Sequence, residues 1–217
     1  MEIDARPGMR AELDAALRNR FEAQQVMRHK PYELGGAVVK SVGADGAVNT
    51  VLFAEMIEAL NATDSADFVL ASADGVVLKD TKAERIAASN AFAARVEAHT
   101  SDALLRALLV SYRGSVRDPK DELVHLYEIR DALAKKFGGE TTARATLGVS
   151  KHDWSELGRI SNSLPVRQGR HRGQSPGASR DATEEELTTA RRVAFGMIQR
   201  YLDYLAGSAA QNPTGPA

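Results

Sequence analysis

Apolar residues recur at intervals of three and four over most of this chain, the spacing of helices that bury one face. Leu13, Leu17 and Phe21, continued by Gln24 or Met27, make such a stripe. It predicts a helix over residues 8–28, opened after Pro7-Gly8 and closed by His29-Lys30-Pro31. Between Tyr32 and Asp80 the texture changes. Val38, Val39, Val42, Val48, Thr50 and Val51 are β-branched, with Gly35-Gly36 and Asp45-Gly46 as turn signals. The segment from Asp67 to Leu78 reads as a hairpin, with Asp74-Gly75 at the positive-φ positions of a tight primed turn. This pattern predicts a small antiparallel sheet of three or four strands. Phe53 to Leu60 fits a short helix or an edge strand equally.

After Asp80 the helical period returns and stays. Residues 82–98 carry Ile86, Ala94 and Val96 behind a start at Thr81. Residues 101–113 present Leu104, Leu105, Leu108, Leu109 and Tyr112 after a Thr100-Ser101 cap. Asp118-Pro119 predicts the next opening, an N-cap acceptor followed by proline at the first helical position. That helix buries Leu123, Leu126, Ile129, Leu133 and Phe137 and ends at Gly138-Gly139. Short helices over 140–147 and 151–160 lead into a loop, residues 161–180, rich in Gly, Pro, Ser and Arg. The last helix opens at Thr183, with Glu186 completing a capping box, and lines up Leu187, Ala190, Ala194, Met197, Ile198, Tyr201 and Leu205. The expected class is α+β: residues 1–81 form an N-terminal helix and a small antiparallel β-sheet, residues 82–206 a helical bundle, and residues 207–217 a disordered tail.

Composition narrows the function. Among 217 residues, Lys+Arg number 28 and Asp+Glu 29, so any charged partner is recognised by a local patch and not by bulk charge. There is no cysteine, which excludes disulfides, thiolate zinc sites and cysteine nucleophiles. The N-terminus lacks an apolar signal region and no run approaches 18 apolar residues, so a soluble cytoplasmic protein without membrane contact is expected. HExxH, the Walker loop, GxGxxG and the nucleophile elbow are all missing, and five scattered histidines make no metal site. No cofactor and no metal is implied.

The richest chemistry lies in Leu164-Pro165-Val166-Arg167-Gln168-Gly169-Arg170-His171-Arg172-Gly173. From Leu157 to Arg180 there is no acidic residue, while Arg159, Arg167, Arg170, Arg172 and Arg180 are cationic. Crowded guanidiniums repel one another, and their planar forks match phosphate oxygens. RNA or another phosphate-bearing ligand is the natural counter-group. His171 stands between two arginines, which favour the neutral imidazole that can take up a proton. The plainer alternative is a solvated loop, or arginines paired with Glu184 to Glu186.

An arginine and a histidine ahead of the final helix of a small bundle resemble the HEPN domains, helical modules of prokaryotic toxin and antiviral systems. The resemblance covers roughly residues 120–206 and rests on Asn162, Arg167, His171 and the helix order, with three residues between Arg167 and His171 where the family usually has four to six. It implies a metal-independent ribonuclease site at a homodimer interface. His171 would help activate the ribose 2′-hydroxyl, and Arg167 or Arg170 would stabilise charge on phosphorus.

Two readings of other classes stand beside it. Residues 143–157 resemble a helix-turn-helix, with Gly148 at the turn, Val149 packed inward, Ser150 as cap, and Trp154 and Leu157 on the buried face. That makes DNA a second nucleic-acid partner and Lys151 a phosphate contact, although Arg144 occupies the small-residue position and Asp153 and Glu156 face the groove. The third reading is a non-catalytic interaction module. His125, Glu128, Arg130 and Asp131 share a helix and read as a solvated face, with an acid/base face as the sharper alternative.

Overall fold

The computed structural model describes residues 7–31, 38–42, 48–52, 67–72, 74–170 and 179–211. It is an α+β protein whose mass is a helical bundle. Helix α1 (Pro7–Arg28) precedes strands β1 (Val38–Val42), β2 (Val48–Leu52), β3 (Val69–Ala71) and β4 (Val77–Asp80). Then come α2 (Thr81–Glu97), α3 (Ala103–Arg117), α4 (Glu122–Lys136), α5 (Glu140–Leu147), α6 (Lys151–Gly158), a π-turn (Arg159–Ser163) and α7 (Glu184–Gln211). No helix among the described residues is long and apolar enough to cross a membrane.

Among the described residues, the buried core belongs to helices and their connections. Leu105 and Leu108 of α3, Leu123, Leu126, Ile129 and Leu133 of α4, and Trp154 and Leu157 of α6 close on Met197, Ile198 and Tyr201 of α7. Each such side chain contributes roughly 1.5–3 kcal/mol relative to leaving it in water. Helix α7 is the axle, packing against α3, α4, α5 and α6. One aromatic chain, Phe92–Phe195–Tyr112–His29, ties α2, α7, α3 and the end of α1 together.

Several local expectations need correction. Helix α1 buries Ala23 and Val26, while Leu17 and Phe21 of the anticipated stripe stay exposed. It packs on α2 and α3. The described strands form two separate antiparallel pairs, β1–β2 and β3–β4, in place of one sheet. In the second pair Ser72 and Val76 close a three-residue loop with Gly75 at φ +83°, the longer hairpin loop and not the two-residue one. Asp102 replaces Thr100-Ser101 as the cap of α3, accepting from the Leu105 amide at 2.6 Å. Asp118-Pro119 opens a turn ahead of α4, which starts at Glu122. Helix α7 continues through Gly207 to Gln211, past the expected start of the tail. Gly35-Gly36, Asp45-Gly46 and Phe53 to Leu60 lie outside the described residues.

Candidate functional site

The arginine-rich segment leaves the bundle through the π-turn, whose defining bond runs from the Leu164 amide to the Arg159 carbonyl at 3.0 Å. Val166, fully buried, anchors the start of the loop. Backbone bonds from Arg167 N–H to the Arg180 carbonyl (2.9 Å) and from Arg180 N–H to the Pro165 carbonyl (3.1 Å) pin the two ends of the loop side by side. The Gln168 side-chain oxygen accepts from the Ala182 amide at 3.0 Å. Gly169 is buried, and a Cβ there would lie 3.1 Å from the Ser161 carbonyl and from Val166. The absence of a side chain lets the Arg170 amide reach that same carbonyl at 2.9 Å. The return strand enters α7 through the expected capping box: Thr183 N–H donates to Glu186 at 2.8 Å, and Glu186 N–H donates to the Thr183 hydroxyl at 3.2 Å.

The arginines do not share one fate. Arg159 is bidentate on Glu156 at 2.9 and 2.5 Å. Arg180 is bidentate on Glu186 at 2.7 and 2.6 Å, and Arg167 approaches Asp181 at 3.5 Å. Glu156 and Asp181 flank the acid-free window directly and Glu186 lies further on in α7, so the expectation of unneutralised guanidiniums is corrected for Arg159, Arg167 and Arg180. The pairing holds Glu156 below the ordinary carboxylate range through its bond to Arg159, and brings Glu186 down to about 2, chiefly through Arg180. Arg170 is different. It is exposed, pairs with no carboxylate among the described residues, and stacks on the Tyr127 ring with its guanidinium carbon 4.5 Å from the centroid. His171 and Arg172 lie outside the described residues.

Beneath Arg170 is a ledge built partly from the α4 face whose charges suggest a solvated surface. Arg130 of α4 donates to the Tyr127 hydroxyl at 2.8 Å and to Glu140 at 3.2 Å. Its guanidinium sits 5.1 Å from the Tyr127 ring centre and 5.2 Å from that of Trp154. Gly158 faces this group, where a Cβ would come within 3.4 Å of the guanidinium carbon. Arg144 reaches the same Glu140 at 3.8 Å. Arg130 and Arg144 thus share one carboxylate, and Tyr127 lies between Arg130 and Arg170. Buried side-chain nitrogens of Arg130, Arg144 and Trp154 have no hydrogen-bond partner among the described residues. The i, i+3 spacing of Tyr127 and Arg130 on α4 was the available signal.

Around α5 and α6, Gly148 takes the left-handed conformation at φ +63° and Ser150 caps α6 by accepting from the Asp153 amide at 3.0 Å. Trp154 and Leu157 are buried, and both helices lean on α7. Asp153 pairs with Arg192 and Glu156 with Arg159, so neither acidic group is uncompensated. Lys151 is exposed at the start of α6. His125 faces Glu128 at 3.5 Å, beside a Gly114 whose Cβ would crowd the imidazole. No cluster of three or more His, Asp or Glu able to hold a metal occurs among the described residues. Comparison with family models, with curated proteins and with solved structures gives no match.

Proposed function

We propose that this chain binds RNA, or another phosphate-bearing ligand, on the loop spanning residues 164–180, and cleaves RNA there without a metal, in the manner of the HEPN-like domains it resembles. The supporting observation is Arg170, an exposed guanidinium spread on Tyr127 without a carboxylate partner among the described residues. The ring holds the cation in place without consuming its N–H groups, which remain for phosphate oxygens. In the catalytic step His171 takes the proton of the ribose 2′-hydroxyl as its oxygen attacks phosphorus. Arg170 or Arg167 steadies the oxyanions, and the 5′-oxygen departs taking a proton from water, leaving a 2′,3′-cyclic phosphate. A second copy of the chain supplies the facing half of the site.

Labelled single-stranded RNA, incubated with the full chain in a chelator, tests both halves. Arg170→Ala should weaken binding about tenfold and reduce the salt slope by about one. His171→Ala should retain binding and lose cleavage. Failure to bind RNA at low salt, or binding indifferent to Arg170→Ala, overturns the site. Binding without cleavage by the wild-type chain overturns the nuclease step. A preference for duplex DNA that depends on Lys151 would transfer the activity to α5 and α6.

A further inference from the structure

The ledge under Arg170 carries more positive charge than one phosphodiester can answer. Arg130 and Arg144 meet the two oxygens of a single carboxylate, Glu140, at 3.2 and 3.8 Å. Arg170 and Arg130 both lie against the Tyr127 ring, 4.5 and 5.1 Å from its centre. Arg130 is thus common to both groupings. Glu140 is the one carboxylate paired with any of the three guanidiniums among the described residues, so three positive charges stand against one negative. Arg130 and Arg144 keep 18% and 23% of their side chains exposed, and their buried Nε–H groups have no hydrogen-bond partner among the described residues. Trp154, fully buried, backs Arg130 with its ring centre 5.2 Å away.

Cations held this way have lost part of their hydration, and salt screens them less than it screens exposed ones. One shared acid leaves them a surplus of two charges. Phosphate groups differ in what they return. An internal phosphodiester brings one negative charge, whereas a terminal phosphomonoester brings about −1.5 to −2 at neutral pH, with a third unesterified oxygen to accept hydrogen bonds. Guanidinium forks suit those oxygens. We infer that the ledge binds a terminal phosphomonoester of the RNA strand, with Arg130 at the centre of the contact and Arg144 and Arg170 beside it. This inference rests on the RNA-binding reading of the loop and adds to it a selection of strands by their ends. The two ends that the cleavage creates, a 2′,3′-cyclic phosphate and a 5′-hydroxyl, both lack the group, so the ledge holds an original end of the strand and not a new one.

Fluorescence anisotropy with the full chain tests this, using one single-stranded 2′-O-methyl RNA, which lacks the attacking hydroxyl. The strand is supplied with a 5′-phosphate, with a 3′-phosphate, or with hydroxyls at both ends. One phosphorylated form should bind about tenfold more tightly than the hydroxyl form, the gain of one charge-assisted contact, and which form it is names the end. Arg144→Ala should bring that ratio to about one. Glu140→Gln removes the competing acid and should raise the ratio above that of the wild type, a change that damage to the fold would not produce. Equal binding of all three forms by the wild-type chain overturns the inference and leaves the loop as an RNA site. A ratio that Arg144→Ala leaves intact, or that Glu140→Gln fails to raise, does the same. So does a ratio abolished by inorganic phosphate at the RNA's own concentration, because the ligand is then free phosphate. Failure of every form to bind overturns the loop and the ledge together.

Discussion

At the scale of single residues, the loop is governed by which carboxylate each guanidinium finds. Glu186 accepts from Arg180 and from the Thr183 amide at once, and its pKa falls from the usual 4.5 to about 2. A carboxylate with a lowered folded-state value stabilises the fold fully above the unfolded value, and the contribution disappears as pH drops through the folded one. Melting temperature should therefore decline between about pH 4.5 and 2 by a component that Glu186→Gln lacks. Gly169 tests the floor of the loop: Gly169→Ala pushes a methyl to 3.1 Å from the Ser161 carbonyl. The expected loss is about 1–3 kcal/mol in urea denaturation, accompanied by weaker RNA binding because Arg170 shifts off Tyr127. The capping box was legible because its partners stand three residues apart. Arg170 on Tyr127 was not, since 43 positions separate the two and no local period links them.

Among the elements, those with strong local signals fell where the pattern placed them, and those that lean on a distant surface did not. Gly138 and Gly139 at φ +74° and +135° end α4, and Gly148 at +63° ends α5, as the glycine positions forecast. Gly148→Ala must hold a Cβ in the left-handed region, so it should cost about 1–2 kcal/mol by chemical denaturation. The start of α4 moved to Glu122 for a tertiary reason. Glu122 is buried, and burial would raise its pKa, but bonds from His29 (3.1 Å) and Arg191 (2.6 and 3.0 Å) outweigh this and keep it low. Three elements meet at that carboxylate. Glu122→Ala should destabilise the bundle by about 2–3 kcal/mol, whereas Glu185→Ala, on the exposed start of α7, should change little in the same measurement. The α1 stripe misled because Leu17 and Phe21 satisfy helical spacing yet stay exposed, while the smaller Ala23 and Val26 are the side chains buried.

On the scale of the whole molecule, α1 packs on α2 and α3 of the bundle. Removing residues 1–31 would uncover the surface that Ala23 and Val26 cover and cut the His29 link to Glu122. A loss of roughly 3 kcal/mol is expected, seen as a melting temperature lower by about 6–12 °C. The α+β class and the helix order were legible because most of the helical stretches repeat one amphipathic period. The assignment of α1 was not, because the intervening strands hide its contacts. The π-turn carries a consequence for how such a protein changes over time. Its five-residue closure holds one residue more than an α-helical turn requires. Excising Asn162 would turn the bond from the Leu164 amide to the Arg159 carbonyl into an ordinary α-helical closure, so Val166 should stay in the interior and Arg170 over its ring. The joint thus absorbs one residue within a single turn, and a chain that loses it should keep the arginine segment aimed as before.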